Sequence, residues 1–158
     1  MSVTKREGGS GKWATFMLAG EMFALEVEDV QEVLMEQPLT PVPRAPEHIV
    51  GLLNLRGQII SAIDLRRRLH FPPRAEGQST KLLVVTAGGS QFSVVVDDIH
   101  DVLELPTERW RASPETLDER HRNFVRGICP IEGYMVLGLD VQALGEDLSR
   151  PDRAEASN

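Results

Sequence analysis

The chain has 158 residues and a mass of 17.6 kDa, the size of one domain or of two very small ones that share a core. Its formal net charge of −7 argues against a general affinity for nucleic acid or for an anionic membrane. A single cysteine, Cys129, excludes an internal disulfide. Its apolar surroundings predict a buried thiol without a catalytic role.

The two ends of the chain are polar, and we expect residues 1–12 and 146–158 to be flexible tails around one domain at residues 13–145. The first residues lack the apolar region of a signal peptide. No apolar run reaches the ~20 residues of a membrane span. A cytoplasmic, soluble protein is therefore expected.

Two segments have the alternating pattern of a β-hairpin. Residues 13–27 would turn near position 20, and residues 81–99 would turn at a Gly-Gly-Ser sequence. The continuous apolar runs 82–85 and 94–96 predict strands that are buried on both faces. Short apolar segments separated by glycine, proline or charge are typical of a β barrel or sandwich.

The segment between these hairpins contains connectors and a short helical pattern. Val30, Val33 and Leu34 have helical spacing over about two turns, which predicts a short helical turn. Four prolines within residues 38–46 predict a stiff connector into a strand that begins near Ile49. Their P-x-x-P spacing leaves an SH3 ligand open as an alternative.

Three polar residues are candidate helix caps, because a carboxylate or hydroxyl can accept the first orphan N–H groups of a helix. Asp64 precedes the sequence LRRRL, and Asp140 precedes VQAL. Ser113 begins a polar connection that could contain one or two helical turns.

Two gapless self-alignments indicate an internal duplication. Residues 20–34 align with 89–103 at an offset of 69, and residues 51–65 align with 127–141 at an offset of 76. Apolar positions, glycines and a terminal aspartate recur in both copies. The sequence therefore predicts the same small β unit twice.

Arg56 breaks the correspondence between the copies. It stands in the apolar segment 51–65, and the aligned residue of the second copy is Glu132. A residue that the backbone requires would recur in both copies. We therefore predict that Arg56 serves a partner rather than the fold.

These motifs together resemble the CheW family of chemotaxis coupling proteins over about residues 13–145. The most specific piece is I-x-G-x-x-N-L-R-G followed by an apolar strand ending in Asp-Leu, at residues 49–65. V-Q-E-V lies upstream at 30–33 and V-V-D-D-I downstream at 95–99. The resemblance implies a mainly β fold, with two intertwined five-stranded SH3-like barrels, short helical turns and a third core between the barrels.

The resemblance also implies a function and a first set of residues. It implies a non-enzymatic adaptor, without cofactor or metal, that couples the cytoplasmic tips of chemoreceptors to the regulatory domain of the histidine kinase CheA. Such an adaptor is recruited to membrane-associated receptor complexes, and contacts with other CheW-like proteins in arrays stay open. Arg56 and Glu32 match a charge pair associated with kinase binding. Asn54 and Gly57, from the same motif, complete the candidate kinase-binding residues.

The resemblance also implies a groove in which the receptor tip docks, and three apolar residues match positions that line it. They are Val30, Ile99 and Val102. From the residues alone, plain core positions are an equal alternative, because the sequence does not say which face is exposed.

Two other functions stay open. A specialised CheW-like paralogue of another chemosensory pathway would bind only one class of partner. A small-barrel nucleic-acid-binding module would need a basic stripe and exposed stacking aromatics, whereas this acidic chain has eight Phe, Tyr and Trp residues, several at expected core positions. The adjacent arginines 66–68 would point in different directions and are predicted to form a solvated face. No nucleophile, base and orienting group assemble, so catalysis is not expected.

Overall fold

The computed structural model describes residues 10–115 and 117–146, which form ten strands and three short α-helices. The strands are β1 (Lys12–Leu18), β2 (Glu21–Glu26), β3 (Val30–Met35), β4 (Ile49–Leu55), β5 (Gln58–Asp64), β6 (Lys81–Ala87), β7 (Ser90–Val96), β8 (Asp98–Glu104), β9 (Val125–Ile131) and β10 (Tyr134–Leu139). The helices are α1 (Leu65–Arg68), α2 (Glu119–Arg122) and α3 (Val141–Leu144). Most of the two predicted tails, residues 1–9 and 147–158, lies outside the described residues.

The strands form two five-stranded sheets that exchange strands between the halves of the chain. Barrel 1 has the order β8-β1-β2-β10-β9, and barrel 2 has the order β3-β6-β7-β5-β4. The two orders correspond when each strand number is shifted by five, so that β1 corresponds to β6, β2 to β7 and β3 to β8. The predicted fold of two intertwined barrels built from a repeated unit is therefore confirmed.

Each barrel is completed where a strand of one half joins the other half in parallel. In barrel 1 the parallel pair is β2 with β10, and in barrel 2 it is β5 with β7. The remaining pairs are antiparallel, and they include both predicted hairpins, β1–β2 and β6–β7. Because these hairpins sit at the centre of the sheets, residues 82–85 of β6 and 94–96 of β7 are buried, as their continuous apolar runs predict.

The core has three parts, one inside each barrel and one between them. The central cluster contains Phe16 and Phe23 from barrel 1 together with Ile63 and Phe92 from barrel 2, all essentially inaccessible to solvent. Each such side chain contributes about 1.5–3 kcal/mol by leaving water. The implied third core is therefore present, and it joins the two barrels.

The predicted aspartate caps are confirmed, and the predicted serine cap is wrong. Asp64 accepts a hydrogen bond from the Arg66 amide at 3.1 Å and so begins α1. Asp140 accepts from the amides at positions 142 and 143 and begins α3. The helix α2 starts six residues after Ser113 and is capped by Asp118, whose carboxylate accepts the Arg120 amide at 2.8 Å.

The helical turn predicted across Val30, Val33 and Leu34 is also wrong in its extent. A single turn of 3-10 helix covers Val27–Asp29, and Val30 already begins the edge strand β3. Pairing with β6 imposes a two-residue period, so that Val30 and Leu34 face the interior while Val33 is exposed.

The proline-rich segment leads into β4 at Ile49, as predicted. The amide of Thr40 donates to the carbonyl of Leu52 at 2.9 Å, and the Leu52 amide donates back at 2.8 Å. The connector therefore covers part of the outer edge of barrel 2. Among residues 10–115 and 117–146, no helix is long and apolar enough to cross a membrane.

Candidate functional site

Arg56 lies at the tip of the two-residue turn between β4 and β5. Leu55 pairs with Gln58, and the intervening Arg56 and Gly57 have φ angles of +52° and +85°. Positive φ at both central positions is the geometry of a type I′ hairpin turn. The side chain of Asn54 accepts the Gly57 amide at 2.9 Å and closes the turn. Asn54 and Gly57 therefore hold the turn, while Arg56 is presented by it.

The structure brings Arg56 together with Glu32, 24 positions earlier in the chain. Arg56 Nη2 lies 2.5 Å from Glu32 Oε2, and 70% of the Arg56 side chain is exposed against 26% of Glu32. The hydrogen bond from Arg56 lowers the pKa of Glu32, and Glu32 in turn raises the pKa of Arg56. Both groups are therefore charged at neutral pH. A guanidinium has five N–H donors, so one carboxylate leaves donors that can meet a partner.

The equivalent surface of barrel 1 carries a different charge. The residues aligned with Glu32 and Arg56 are Asp101 on β8 and Glu132 at the β9–β10 turn. Two carboxylates cannot form an ion pair. The Arg56–Glu32 pair therefore distinguishes one barrel from the other on a backbone framework that they share.

The three apolar candidate residues fall into two environments. Val30 begins β3 and Ile99 lies near the start of β8, at positions that the repeat makes equivalent, and both pack half-buried against the central cluster. Val102 lies further along β8 and has 55% of its area exposed. Val30 and Ile99 thus lie at the edge of the core, and Val102 is directly accessible.

Sequence reasoning missed several other exposed apolar side chains. They are Val33, Met35, Ile59, Tyr134 and Met135. The offsets of the repeat relate Val33 to Val102 and Ile59 to Met135. Each barrel therefore exposes an apolar side chain at the same two positions of the repeat. Such recurrence is a signal that the self-alignments contain, because a solvated strand face has no need to conserve apolar residues between copies.

Three other kinds of site find little support in the part of the chain that the structure describes: a metal site, a reactive thiol and an aromatic surface for nucleic acid. No group of three or more His, Cys, Asp or Glu side chains is placed to hold a metal ion there. Cys129 is buried as predicted, and burial raises the pKa of its thiol, which disfavours the thiolate. Phe16, Phe23 and Phe92 are buried and so unavailable for stacking on nucleic-acid bases.

Comparison with known proteins agrees with this architecture. The family model of the CheW-like domain matches residues 12–149. The chain is 27% identical over 143 residues to the probable chemotaxis protein CheW of Rhizobium etli, and the alignment covers 90% of this chain and 92% of that protein. It is 28% identical over 145 residues to the chemotaxis protein CheW of Klebsiella aerogenes, and this alignment covers 90% of this chain and 87% of that protein.

A solved structure gives the same result for the fold. The crystal structure of the scaffolding protein TtCheW from Thermoanaerobacter tengcongensis matches with a TM-score of 0.77 and 31% sequence identity, over 85% of this chain and 92% of that one. The repeated barrels and the family match over most of the chain lead to one conclusion: this chain belongs to the CheW family.

Proposed function

We propose that this chain couples the cytoplasmic tips of chemoreceptors to the regulatory domain of the histidine kinase CheA. Membership of the CheW family makes it a non-enzymatic chemotaxis adaptor; the two partners and their surfaces are the proposal. In this role the adaptor is recruited from the cytoplasm to membrane-associated receptor complexes. Two partners on separate surfaces would place the kinase close to the receptor.

The main observation in support of a kinase-binding surface is the way in which the turn exposes Arg56. Its side chain is 70% exposed on a turn that Asn54 and Gly57 fix, and it is oriented by Glu32. Orientation before binding reduces the conformational entropy that an arginine loses at an interface. Arginine is also among the residues that dominate binding energy most often. The absence of this charge from the second copy supports a role in recognition rather than in folding.

The proposed receptor surface is formed by Val30, Ile99 and Val102. Val102 supplies accessible apolar area, whereas Val30 and Ile99 lie half-buried at the edge of the central cluster. A helical receptor tip that covers Val102 would therefore reach a surface backed by rigid core. Apolar anchors of this kind suit the docking of an amphipathic helix into a groove.

Calorimetric titration with the regulatory domain of CheA tests the kinase surface. We expect micromolar binding by the unaltered chain and about 30-fold weaker binding by Arg56→Glu. Arg109→Glu is the matched control, since it makes the same charge change at an exposed residue of barrel 1. Its affinity should be unchanged.

The double substitution Arg56→Glu with Glu32→Arg separates recognition from folding. It restores an ion pair within the chain while reversing the charge at the tip of the turn. If Arg56 contacts the kinase, the double variant should stay weak. Recovery of full affinity would show that only the internal pair matters, and equal binding by Arg56→Glu would move the contact elsewhere.

Absence of binding by the unaltered chain would favour the paralogue that binds one partner class. The receptor tip is then the next ligand, with Val102→Asp as the variant. Loss of receptor binding by that variant would keep the apolar surface while removing the kinase from the proposal.

A further inference from the structure

A polar cavity lies where helices from the two halves of the chain approach each other. Its volume is about 610 Å³, and its wall includes Arg67 and Arg68 of α1, Arg120 of α2, and His48 before β4. Small-molecule sites in proteins typically have about 300–1,000 Å³. The remaining wall comes from Glu47, His70, Phe71 and Pro73.

The charge of this wall is opposite to that of the protein. Three arginines line it against one carboxylate, Glu47, although the chain as a whole has a net charge of −7. The two histidines of the wall add ring N–H groups as donors. The cavity is therefore a local concentration of cationic hydrogen-bond donors on an acidic molecule, which favours an anionic ligand.

Arg67 keeps much of its hydrogen-bonding capacity for such a ligand. Its side chain is 49% exposed, its Nη1 donates to the Glu47 carbonyl at 3.2 Å, and its Nε lies 3.8 Å from Asp64 Oδ2. Asp64 is engaged more closely by Arg74, whose Nη1 donates to it at 2.8 Å. The carboxylate therefore neutralises Arg74 more than Arg67.

Among the residues that the structure describes, Asp118 is the partner that holds Arg120 at the surface. Its Nε and Nη2 donate to the carboxylate of Asp118, with 2.7 Å between Nη2 and Oδ2, and its side chain is 60% exposed. These bonds use one edge of the guanidinium and leave Nη1 outside the pair. Exposed ion pairs of this kind are weak, so a ligand can share the arginine with Asp118.

The repeat shows that the fold does not require these charges on α1. The second copy has α3 in place of α1, with Ala143 and Leu144 at the positions of Arg67 and Arg68, while the capping aspartate recurs. Arg68 has a structural use, since it donates to the Ala143 carbonyl at 3.3 Å and lies over the Phe124 ring. Within residues 10–115 and 117–146, Arg67 contacts the Glu47 carbonyl and Asp64 rather than an aromatic ring, and it is the residue best placed to serve a ligand.

We propose that this cavity binds a small molecule that carries a phosphate group, held between Arg67 of α1 and Arg120 of α2. Terminal phosphate oxygens can accept hydrogen bonds from two guanidinium groups at once, whereas one arginine already satisfies both oxygens of a carboxylate. The negative charge of the whole chain opposes approach to an anionic bilayer, which favours a free phosphate ester over a lipid headgroup. This ligand site is independent of the proposed partners.

Titration with inorganic pyrophosphate, followed by ¹H–¹⁵N NMR and calorimetry in about 0.15 M NaCl, tests the site. We expect saturable shifts confined to the amides around residues 47–48, 67–71 and 119–121, with a dissociation constant below about 1 mM. Arg67→Gln and Arg120→Gln should each weaken binding about 10-fold or more. Arg67→Lys, which keeps the charge but loses the fork, should also bind more weakly.

Three controls distinguish this site from non-specific attraction. Arg109→Gln removes the same charge outside the cavity wall and should leave the affinity within about two-fold of the unaltered chain. Citrate should bind at least about 10-fold more weakly than pyrophosphate. Phosphatidylglycerol vesicles should not bind.

Several results would overturn the proposal. They are the absence of saturable shifts at about 10 mM pyrophosphate, equal losses in Arg109→Gln and Arg67→Gln, equal binding of citrate, or binding to vesicles without binding to pyrophosphate.

Discussion

Replacement of Arg74 by methionine is expected to destabilise the fold, because this residue neutralises two largely buried carboxylates, Asp64 and Asp97. Arg74 lies between α1 and β6 with 11% of its side chain exposed. Its Nε donates to Asp97 Oδ1 and its Nη1 to Asp64 Oδ1, both at 2.8 Å, and its Nη2 donates to the Val95 carbonyl at 3.2 Å. The substitution removes all three bonds and leaves an apolar chain of similar length.

The expected loss in the free energy of unfolding depends on the partners that each carboxylate retains after the substitution. Asp97 retains Arg66, which donates from Nε and Nη2. Among the described residues, Asp64 retains the backbone amide of Arg66 at 3.1 Å and the guanidinium of Arg67 at 3.8 Å, so it loses its one close cationic partner. Removing one partner of a buried ion pair costs about 3–5 kcal/mol. Because Asp97 stays paired, we expect the lower end, about 3 kcal/mol. For a chain of this length that corresponds to a fall of about 6–12 °C in Tm.

Urea and thermal unfolding at pH 7, followed by circular dichroism, measure this loss. Arg109→Met is the matched control, since it removes an exposed arginine and should leave the midpoint unchanged. Adding Asp64→Asn to Arg74→Met should recover part of the loss, because it removes the carboxylate left without its close partner. A loss below about 1 kcal/mol in Arg74→Met, or no recovery in the double variant, would refute the neutralising role.

Two further predictions concern packing and pH. Gly138→Ala should lower the free energy of unfolding by about 1–3 kcal/mol, because its Cβ would lie 2.7 Å from a ring carbon of Trp110; an unchanged urea midpoint would contradict this. Burial raises the pKa of Asp97, but hydrogen bonds from Arg66 and the Ala19 amide outweigh it and leave that pKa below its usual value. The stability that Asp97 contributes should be complete above about pH 4 and should be lost as pH falls through its folded pKa. When the free energy of unfolding in urea is plotted against pH across this range, the slope should be flatter for Asp97→Asn than for the unaltered chain.

Much of the fold could be predicted from local and repeated patterns. The hairpins followed from alternation and turn residues, the aspartate caps from their position before short apolar helices, and the shared architecture from the self-alignments. The segment at β3 could not be predicted in this way, because exposed Val33 breaks the alternation of an edge strand and produces helical spacing by coincidence. Ser113 was wrong as a cap because Asp118, closer to the helix, is the acceptor that α2 uses.

The candidate site depended on information that local patterns lack. Arg56 stood out because its charge does not recur, but its pairing with Glu32 depends on how barrel 2 closes, which brings the β4–β5 turn to β3. The exposure of Val102, and the partial burial of Val30 and Ile99, likewise follow from the packing of the barrels. The cavity at Arg67 and Arg120 joins residues 53 positions apart, a proximity that single-sequence patterns do not contain.

The exchange of strands between barrels also determines what one repeat could do alone. In barrel 2, β6 and β7 lie between β3 and β5, so the first half of the chain would keep the outer strands and lose those that connect them. Two copies of such a half could supply each other's missing strands in the same order. The architecture is therefore that of a strand-swapped homodimer whose protomers are joined in one polypeptide. Covalent fusion removes the dependence on concentration that such a dimer would have. It also allows the equivalent surfaces of barrel 1 and barrel 2 to differ in charge.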